Sequence, residues 1–448
     1  MGIFKTNDIR GKYPVELSKE NIYSIGFNLS VVLKTDKIVV GRDTRNSSNE
    51  VFDLLSKGII DSGADVIDIG LCDTPAVYFA TAFYKFDGSV MITASHNPPE
   101  YNGLKISRSQ AIPVGSETGL KELEKLIKTK VDPVIKKGII SKLDISKDYI
   151  NHIHKFITDY SGIKTVFDCG NGAGSAYINR IFKGTTLKYT SLFDEPDGAF
   201  PNHGPNPLEK ESWVSIKEEI LKTKADIGII FDGDADRAVF IDEKGDFISP
   251  DIITALIGHY YYDNKVDEKE HNDNGQMYFD IRSSRSVSEY IKGLGGVAFP
   301  CTTGHANIKK ILRDSNGTYA GELSGHYYFR ENYFCDSGFI AAAVVLGIIK
   351  DLNMHVSDIA KMINPYSFSG EINFEVNNQK IILDKIADFF PKGKVNRLDG
   401  IRIDFDTWWF ILRPSGAEPL LRLVVEAESS NLMKEKIKKI KNIINNLQ

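Results

Sequence analysis

Asp232, Asp234 and Asp236 alternate along one short segment, D-G-D-A-D-R, directly behind the apolar run 227–231. Three carboxylates at alternate loop positions can point the same way, and such convergence is unfavourable without a cation to neutralise it. The pattern asks for a hard, oxygen-seeking ion. Calcium in an EF-hand is one reading, because Glu243 stands at the twelfth position counted from Asp232. Against it, Arg237 occupies the position that needs glycine, and the flanks read as strands. Magnesium is the favoured reading, since three carboxylates leave octahedral positions for a phosphate oxygen and water. A solvated acidic turn fits poorly beside so apolar a strand.

A second candidate is Ser95 in T-A-S-H-N-P, residues 93–98, which closes the apolar run 90–92. Pro98 and Pro99 fix φ and remove donors, so the spacing predicts a stiff turn at a strand's C-terminal end, where open α/β sheets place their chemistry. A serine hydroxyl needs a base, a metal or a cationic pocket to act, and His96 is a poor base because neighbouring side chains on an extended segment point apart. Alone, the stretch reads as a plain turn.

Two later loops add polar groups. R-P-S-G-A-E-P, 413–419, joins two strands with Arg413, Ser415 and Gly416, a set that suits a phosphate monoester and that alone reads as an ordinary hairpin. G-E-L-S-G-H, 321–326, offers Glu322 and Ser324 at alternate positions, as a site for sugar hydroxyls does, with His326 after a glycine. G-N-G-A-G at 170–174 hints at a dinucleotide loop but lacks the G-x-G-x-x-G spacing, and a tight structural turn is the favoured reading.

The elements that must hold these loops repeat. Three times the chain gives a strand ending in a polar loop, a second strand, and a third strand ending in a longer polar motif. The first set is 38–40 before G-R-D-T-R, 66–69, and 90–92 before Ser95; the second is 165–167, 187–192, and 227–231 before the aspartates; the third is 277–279, 297–299, and 318–320 before G-E-L-S-G-H. Short β-rich runs alternating with helical patterns imply parallel α/β layers. Beyond them, alternating strands 372–376, 401–405, 408–412 and 420–426 and a lysine-rich amphipathic helix at 432–447 predict a small α+β domain, with Trp408 and Trp409 as packing residues. Polar stretches place boundaries so that the domains run 1–145, 146–249, 250–367 and 368–448.

Composition excludes several classes. The chain has 448 residues, enough for three or four domains, and a net charge of only −5 spread along the sequence, so no nucleic-acid surface is expected. Four separated cysteines form no C-x-x-C, which opposes a zinc knuckle or disulfide framework and fits a reducing compartment; a cytoplasmic location is expected. No stretch approaches the ~18 apolar residues of a membrane span. There is no signal-peptide pattern, and the myristoylation-like Met1-Gly2 with Thr6 is read as a chance match.

Taken in order from D-I-R-G at 8–11 to R-P-S-G-A-E-P, these loops make the whole chain resemble the α-D-phosphohexomutase superfamily, in its bacterial-type phosphomannomutase/phosphoglucomutase branch. The resemblance implies three tandem similar α/β domains with mixed sheets and a C-terminal α+β domain, around a central active-site cleft. It implies that Ser95 is a phosphoserine, that Asp232, Asp234 and Asp236 bind Mg²⁺ together with its phosphate, and that Arg237 neutralises the transferring group. Arg10, Lys105 and His326 match positions near that group, His305 and Arg282 match positions that orient the sugar, Glu322 and Ser324 match sugar-hydroxyl ligands, and Arg413, Ser415 and Gly416 match the clamp on the non-reacting phosphate. The family often has lysine where Arg282 stands and threonine where Ala417 stands. The implied reaction exchanges hexose 1-phosphate and hexose 6-phosphate of mannose or glucose through a 1,6-bisphosphate. Sugar phosphates are the expected partners, with neither nucleic acid nor membrane, in a monomer or homodimer. Phosphoglucosamine mutase is opposed by Leu323, where that branch usually has glutamine; a non-catalytic sugar-phosphate binder or a serine-phosphate hydrolase are the remaining alternatives.

Overall fold

The computed structural model describes residues 2–129, 136–262, 275–414 and 420–447. Each predicted strand triplet forms the parallel part of one sheet, and the arrangement is the same in all three. In the first, Lys37–Arg42 is central, with Asp65–Leu71 on one side and Gly88–Ile92 on the other. In the second, Lys164–Asp168 lies between Lys188–Leu192 and Ile227–Phe231; in the third, Gln276–Asp280 lies between Val297–Cys301 and Tyr319–Gly321. Parallel neighbours require crossovers, which the helices Ser48–Asp61 and Thr74–Phe83 supply in the first sheet.

The apolar runs did not announce a fourth strand that returns antiparallel after each triplet: Tyr101–Arg108, Ala238–Asp242 and Tyr327–Phe329. The sheets are therefore mixed. More usefully, the Ser95 loop, the aspartate loop and the 322–326 loop each occupy the same topological place, the turn between the third strand and its antiparallel return. The carboxyl ends of equivalent strands deliver all three to one region.

The helix Gly338–Leu352 is apolar on all sides and buried through most of its length, in one core with residues from all three mixed sheets, such as Val39, Phe231 and Tyr327. Among the described residues, no single helix is long and apolar enough to cross a membrane. The C-terminal sheet is antiparallel, with Leu420–Ala427 beside Trp408–Pro414 and Ile372–Glu375, and Ile440, Ile443 and Ile444 of the helix Ser430–Leu447 seal it. Trp408 and Trp409 are buried there as packing residues, Trp409 donating its indole N–H to the buried Glu426. The four cysteines are buried and unpaired.

One surface cluster in the first domain gives a pH prediction. Asp61, at the end of the helix Ser48–Asp61, accepts from Tyr23 Oη (3.0 Å) and pairs with Lys57 and with Lys137 Nζ (2.7 Å). Burial opposes its charge, yet Lys137, Lys57 and Tyr23 outweigh it and hold the carboxyl at about 2. A folded pKa below the unfolded value of about 3.9 adds stability that is complete above that value and is lost as the pH falls through 2. Asp61→Asn is therefore expected to melt below the wild type at pH 7, with a narrower gap at pH 3. Melting curves at both values check this, and a gap equally wide at pH 3 contradicts it.

Candidate functional site

Ser95 has a φ of +50°, in the left-handed region. The chain therefore doubles back and sets the His96 ring beside the hydroxyl, with Nδ1 3.3 Å from Ser95 Oγ. This corrects the expectation of an extended segment whose neighbouring side chains point apart. His96 is still a weak base, because Arg237 above all, then burial and Arg10, push its pKa down to about 2. Ser95 Oγ instead donates to Asp232 Oδ2 at 2.9 Å, across 137 residues of sequence.

The loop's rigidity comes only partly from its prolines. Arg45, fully buried, spreads its guanidinium over four of the loop's carbonyls: Nη2 donates to Ser95 O (2.7 Å) and Asn97 O (2.6 Å), and Nη1 to Pro98 O (2.7 Å) and Tyr101 O (3.0 Å). Asp43 holds the remaining edge at 3.1 Å. Arg10 adds a side-chain tether, donating to Asn97 Oδ1 at 2.6 Å while pairing with Asp8.

The aspartate loop approaches so closely that a side chain at Gly233 would meet Ser95 O at 2.6 Å, which is why glycine separates the first two carboxylates. The G-N-G-A-G segment is the predicted structural turn: Ala173 N donates to Gly233 O (2.9 Å), and a Cβ on Gly172 would lie 2.8 Å from that oxygen. It buttresses the aspartate loop from behind.

Asp232, Asp234 and Asp236 are essentially inaccessible, and each offers an oxygen within 4.8 Å of the others. Burial, then Asp236 and Asp234, push the Asp232 carboxyl up, as expected of anions forced together. Asp234 Oδ1 is buried without a hydrogen-bond partner among the described residues, and Asp236 Oδ1 has only the His326 ring beside it, Nε2 at 3.2 Å. An all-oxygen set of converging carboxylates with an orphaned oxygen on Asp234 fits a hard divalent cation. Glu243 is occupied elsewhere, accepting from Ser357 N (3.0 Å) and Oγ (2.6 Å), so the EF-hand reading is excluded.

Around the triad, Lys105 Nζ reaches Asp234 Oδ2 (2.7 Å) and Asp236 Oδ2 (2.5 Å); burial disfavours its charge, but these carboxylates overcome that and raise its pKa. His326 places Nε2 3.2 Å from Asp236 Oδ1, and its Nδ1 lies 2.9 Å from Ser324 Oγ. Glu322 is fixed by Gly304 N and Tyr328 Oη, each donating at 2.8 Å. The second and third sheets are stitched directly, Ala238 N donating to Gly325 O at 3.0 Å beside an Arg237–His326 bridge.

Ser95, Arg10, Lys105, Arg237, His305, Glu322, Ser324 and His326 thus line one cavity of about 460 Å³, with the triad beneath it. Three cationic side chains facing a hydroxyl, over a buried carboxylate triad that could hold a cation and beside a further carboxylate and a second hydroxyl, suit a phosphorylated polyol. Arg282 and Arg413 lie off this cavity. The guanidinium of Arg282 is held by Asp280, with Nε 2.9 and 3.0 Å from its two oxygens, and Arg413 pairs with Asp399 at 2.7 Å. Ser415 and Gly416 lie outside the described residues. Sequence reasoning missed Arg45 and Thr74, whose partners are main-chain carbonyls or a carboxylate on distant segments, and Tyr328, which fixes Glu322 six residues before it.

Four family models match consecutive parts of the chain: phosphoglucomutase/phosphomannomutase alpha/beta/alpha domain I over residues 1–133, domain II over 147–245, domain III over 249–366, and the C-terminal domain over 371–443. A phosphomannomutase of Methanocaldococcus jannaschii is 37% identical over 99% of this chain and 97% of its own length. The crystal structure of a phosphoglucomutase/phosphomannomutase family protein from Burkholderia thailandensis superposes with a TM-score of 0.89 at 28% identity, covering 99% and 97% of the two chains. The fold extends to the Aspergillus fumigatus N-acetylphosphoglucosamine mutase, solved in complex with GlcNAc-6P and magnesium, with a TM-score of 0.63 at 14% identity and coverage of 100% and 96%. With four domain matches in order and a relative aligned almost end to end, the chain belongs to the phosphoglucomutase/phosphomannomutase family.

Proposed function

We propose that this phosphohexomutase interconverts the 1- and 6-phosphates of mannose or glucose by way of a phosphoserine at Ser95 and a hexose 1,6-bisphosphate. The observation that carries the reading is the Ser95 Oγ–Asp232 contact at 2.9 Å inside a cavity lined by Arg10, Lys105 and Arg237. In the first half-reaction the Ser95 Oγ–P bond breaks and a bond forms from phosphorus to the sugar's free hydroxyl oxygen. The hydroxyl proton passes to a cleft base, and Ser95 Oγ regains a proton. The bisphosphate turns over and the second half-reaction runs in reverse at its other phosphate, restoring phosphorylated Ser95. Positioning and charge neutralisation carry such a loose transition state. Lys105, held charged by two carboxylates, suits neutralisation of the transferring group rather than proton transfer, and His326, on the same cavity wall, is the proposed cleft base.

Asp232, Asp234 and Asp236 would hold Mg²⁺, which when bound supplies charge neutralisation to the transferring oxygens. Glu322 and Ser324 would orient sugar hydroxyls, aided by His305 and Arg282, while Arg413, Ser415 and Gly416 would clamp the distal phosphate. The buried, unpaired cysteines fit a cytoplasmic setting.

A coupled assay with mannose 1-phosphate, glucose 1-phosphate and glucosamine 1-phosphate, each with and without Mg²⁺ and the matching bisphosphate, tests the reading. Isomerisation of the first two, abolished by chelation and restored by Mg²⁺, is expected. Release of free phosphate without isomerisation identifies a hydrolase instead, and preference for the amino sugar identifies a phosphoglucosamine mutase.

A further inference from the structure

The helix Thr74–Phe83 of the first domain begins against the aspartate loop of the second. Its first turn leaves N–H groups without intrahelical partners, and Pro75 removes one of them. Asp73 caps the turn, its Oδ1 accepting from Ala76 N at 2.8 Å, and is itself anchored by Tyr149 Oη at 2.8 Å. Thr74, fully buried, directs its main-chain N–H to Asp234 O (2.9 Å) and its hydroxyl to Asp234 Oδ2 (2.5 Å). One residue therefore grips Asp234 at both main chain and carboxylate, 160 positions away in sequence.

That grip distinguishes the two carboxylate oxygens. Oδ2 is committed to the Thr74 hydroxyl and to Lys105 Nζ at 2.7 Å, whereas Oδ1 is buried without a hydrogen-bond partner among the described residues. Lys105 is shared with Asp236 and sits on a flexible four-carbon chain, so it orients Asp234 less strictly than a β-branched hydroxyl two bonds from a helix backbone. Carboxylates that ligate a metal are themselves held by outer hydrogen bonds, and losing such a partner lowers metal affinity about 10–100-fold.

We propose that Thr74 is the positioning residue of the cation site, turning Asp234 so that Oδ1 faces the ion; this rests on the reading that the aspartate triad holds a divalent cation. The loop of one domain is thus aligned by the helix start of another, and the same contact keeps Asp234 in register with Ser95.

Mn²⁺ alone serves as the probe, with its free electron paramagnetic resonance signal titrated against the full chain. Wild type is expected to deplete the signal, Thr74→Val to bind at least about tenfold more weakly, and Thr74→Ser, which restores the hydroxyl, to lie within about threefold of wild type. Thr74→Ala, which presses no methyl against the carboxylate, replaces the valine variant if that one does not fold. A purely structural role lowers the melting temperature of both hydroxyl-free variants and leaves their Mn²⁺ affinity unchanged, which overturns the proposal. A wild-type chain that leaves the Mn²⁺ signal untouched overturns the cation reading itself.

Discussion

Ser95→Ala is expected to reduce mutase activity roughly a thousandfold or more and to leave a chain that never carries covalent phosphate. Ser95 Oγ is placed 2.9 Å from Asp232 and is rigidly presented by a left-handed residue on an arginine-pinned loop. The nearest alternative acceptor is the His96 ring at 3.3 Å. Arg237, burial and Arg10 hold that imidazole well below its ordinary pKa, which makes it a poor replacement for the hydroxyl. Intact-mass measurement gives the second readout: wild type shows a species heavier by the about 80 Da of one phosphoryl group, and the variant does not. Full activity in the variant without any phosphorylated species would sink the carrier role of Ser95.

The second large effect concerns a residue that does not line the cavity. Replacing Arg45 by methionine strips the donors from the carbonyls of Ser95, Asn97, Pro98 and Tyr101 and leaves Asp43 buried beside an apolar chain. Breaking one side of a buried ion pair costs about 3–5 kcal/mol, and a Ser95 hydroxyl displaced by even an ångström costs about a hundredfold in rate. Arg45→Met is therefore expected to lower both the denaturation midpoint and kcat/KM. Arg45→Lys is expected to recover part of the stability and little of the rate, because one ammonium cannot span four carbonyls and a carboxylate. Denaturant melts and kinetics on the pair check this. A lysine variant with wild-type kcat/KM shows that the loop needs only the charge.

The sequence already carried the strand triplets, because each is a short apolar run closed by a polar motif, and a buried parallel strand must read that way. The return strands were hidden for a physical reason. Tyr101–Arg108 is interrupted by Asn102, Gly103 and Lys105, the last a cavity residue, and Tyr327–Phe329 is only three residues long. The cavity residues were legible as motifs, down to Glu322, Ser324 and His326 on one loop. Arg45 and Thr74 were not, since an arginine on carbonyls 50 or more residues away and a threonine on Asp234 leave no local spacing to read. The placement of the His96 ring, though not its weakness as a base, was misread because the left-handed turn at Ser95 falls on a residue type that does not advertise it. Arg282 and Arg413 were placed by motif alone, and each is held by its own aspartate beside the cavity.

The helix Gly338–Leu352 bears on synthesis. A growing chain delivers the three hairpin turns in order, the serine first and the histidine last, but the apolar helix that fills the core common to all three sheets follows them. Until it leaves the ribosome, the faces it covers have only water or one another to meet. A message cut short between residues 326 and 338 therefore yields a chain that holds every residue lining the cavity and cannot assemble them. Such a product is a client for chaperones and proteases rather than a slow enzyme.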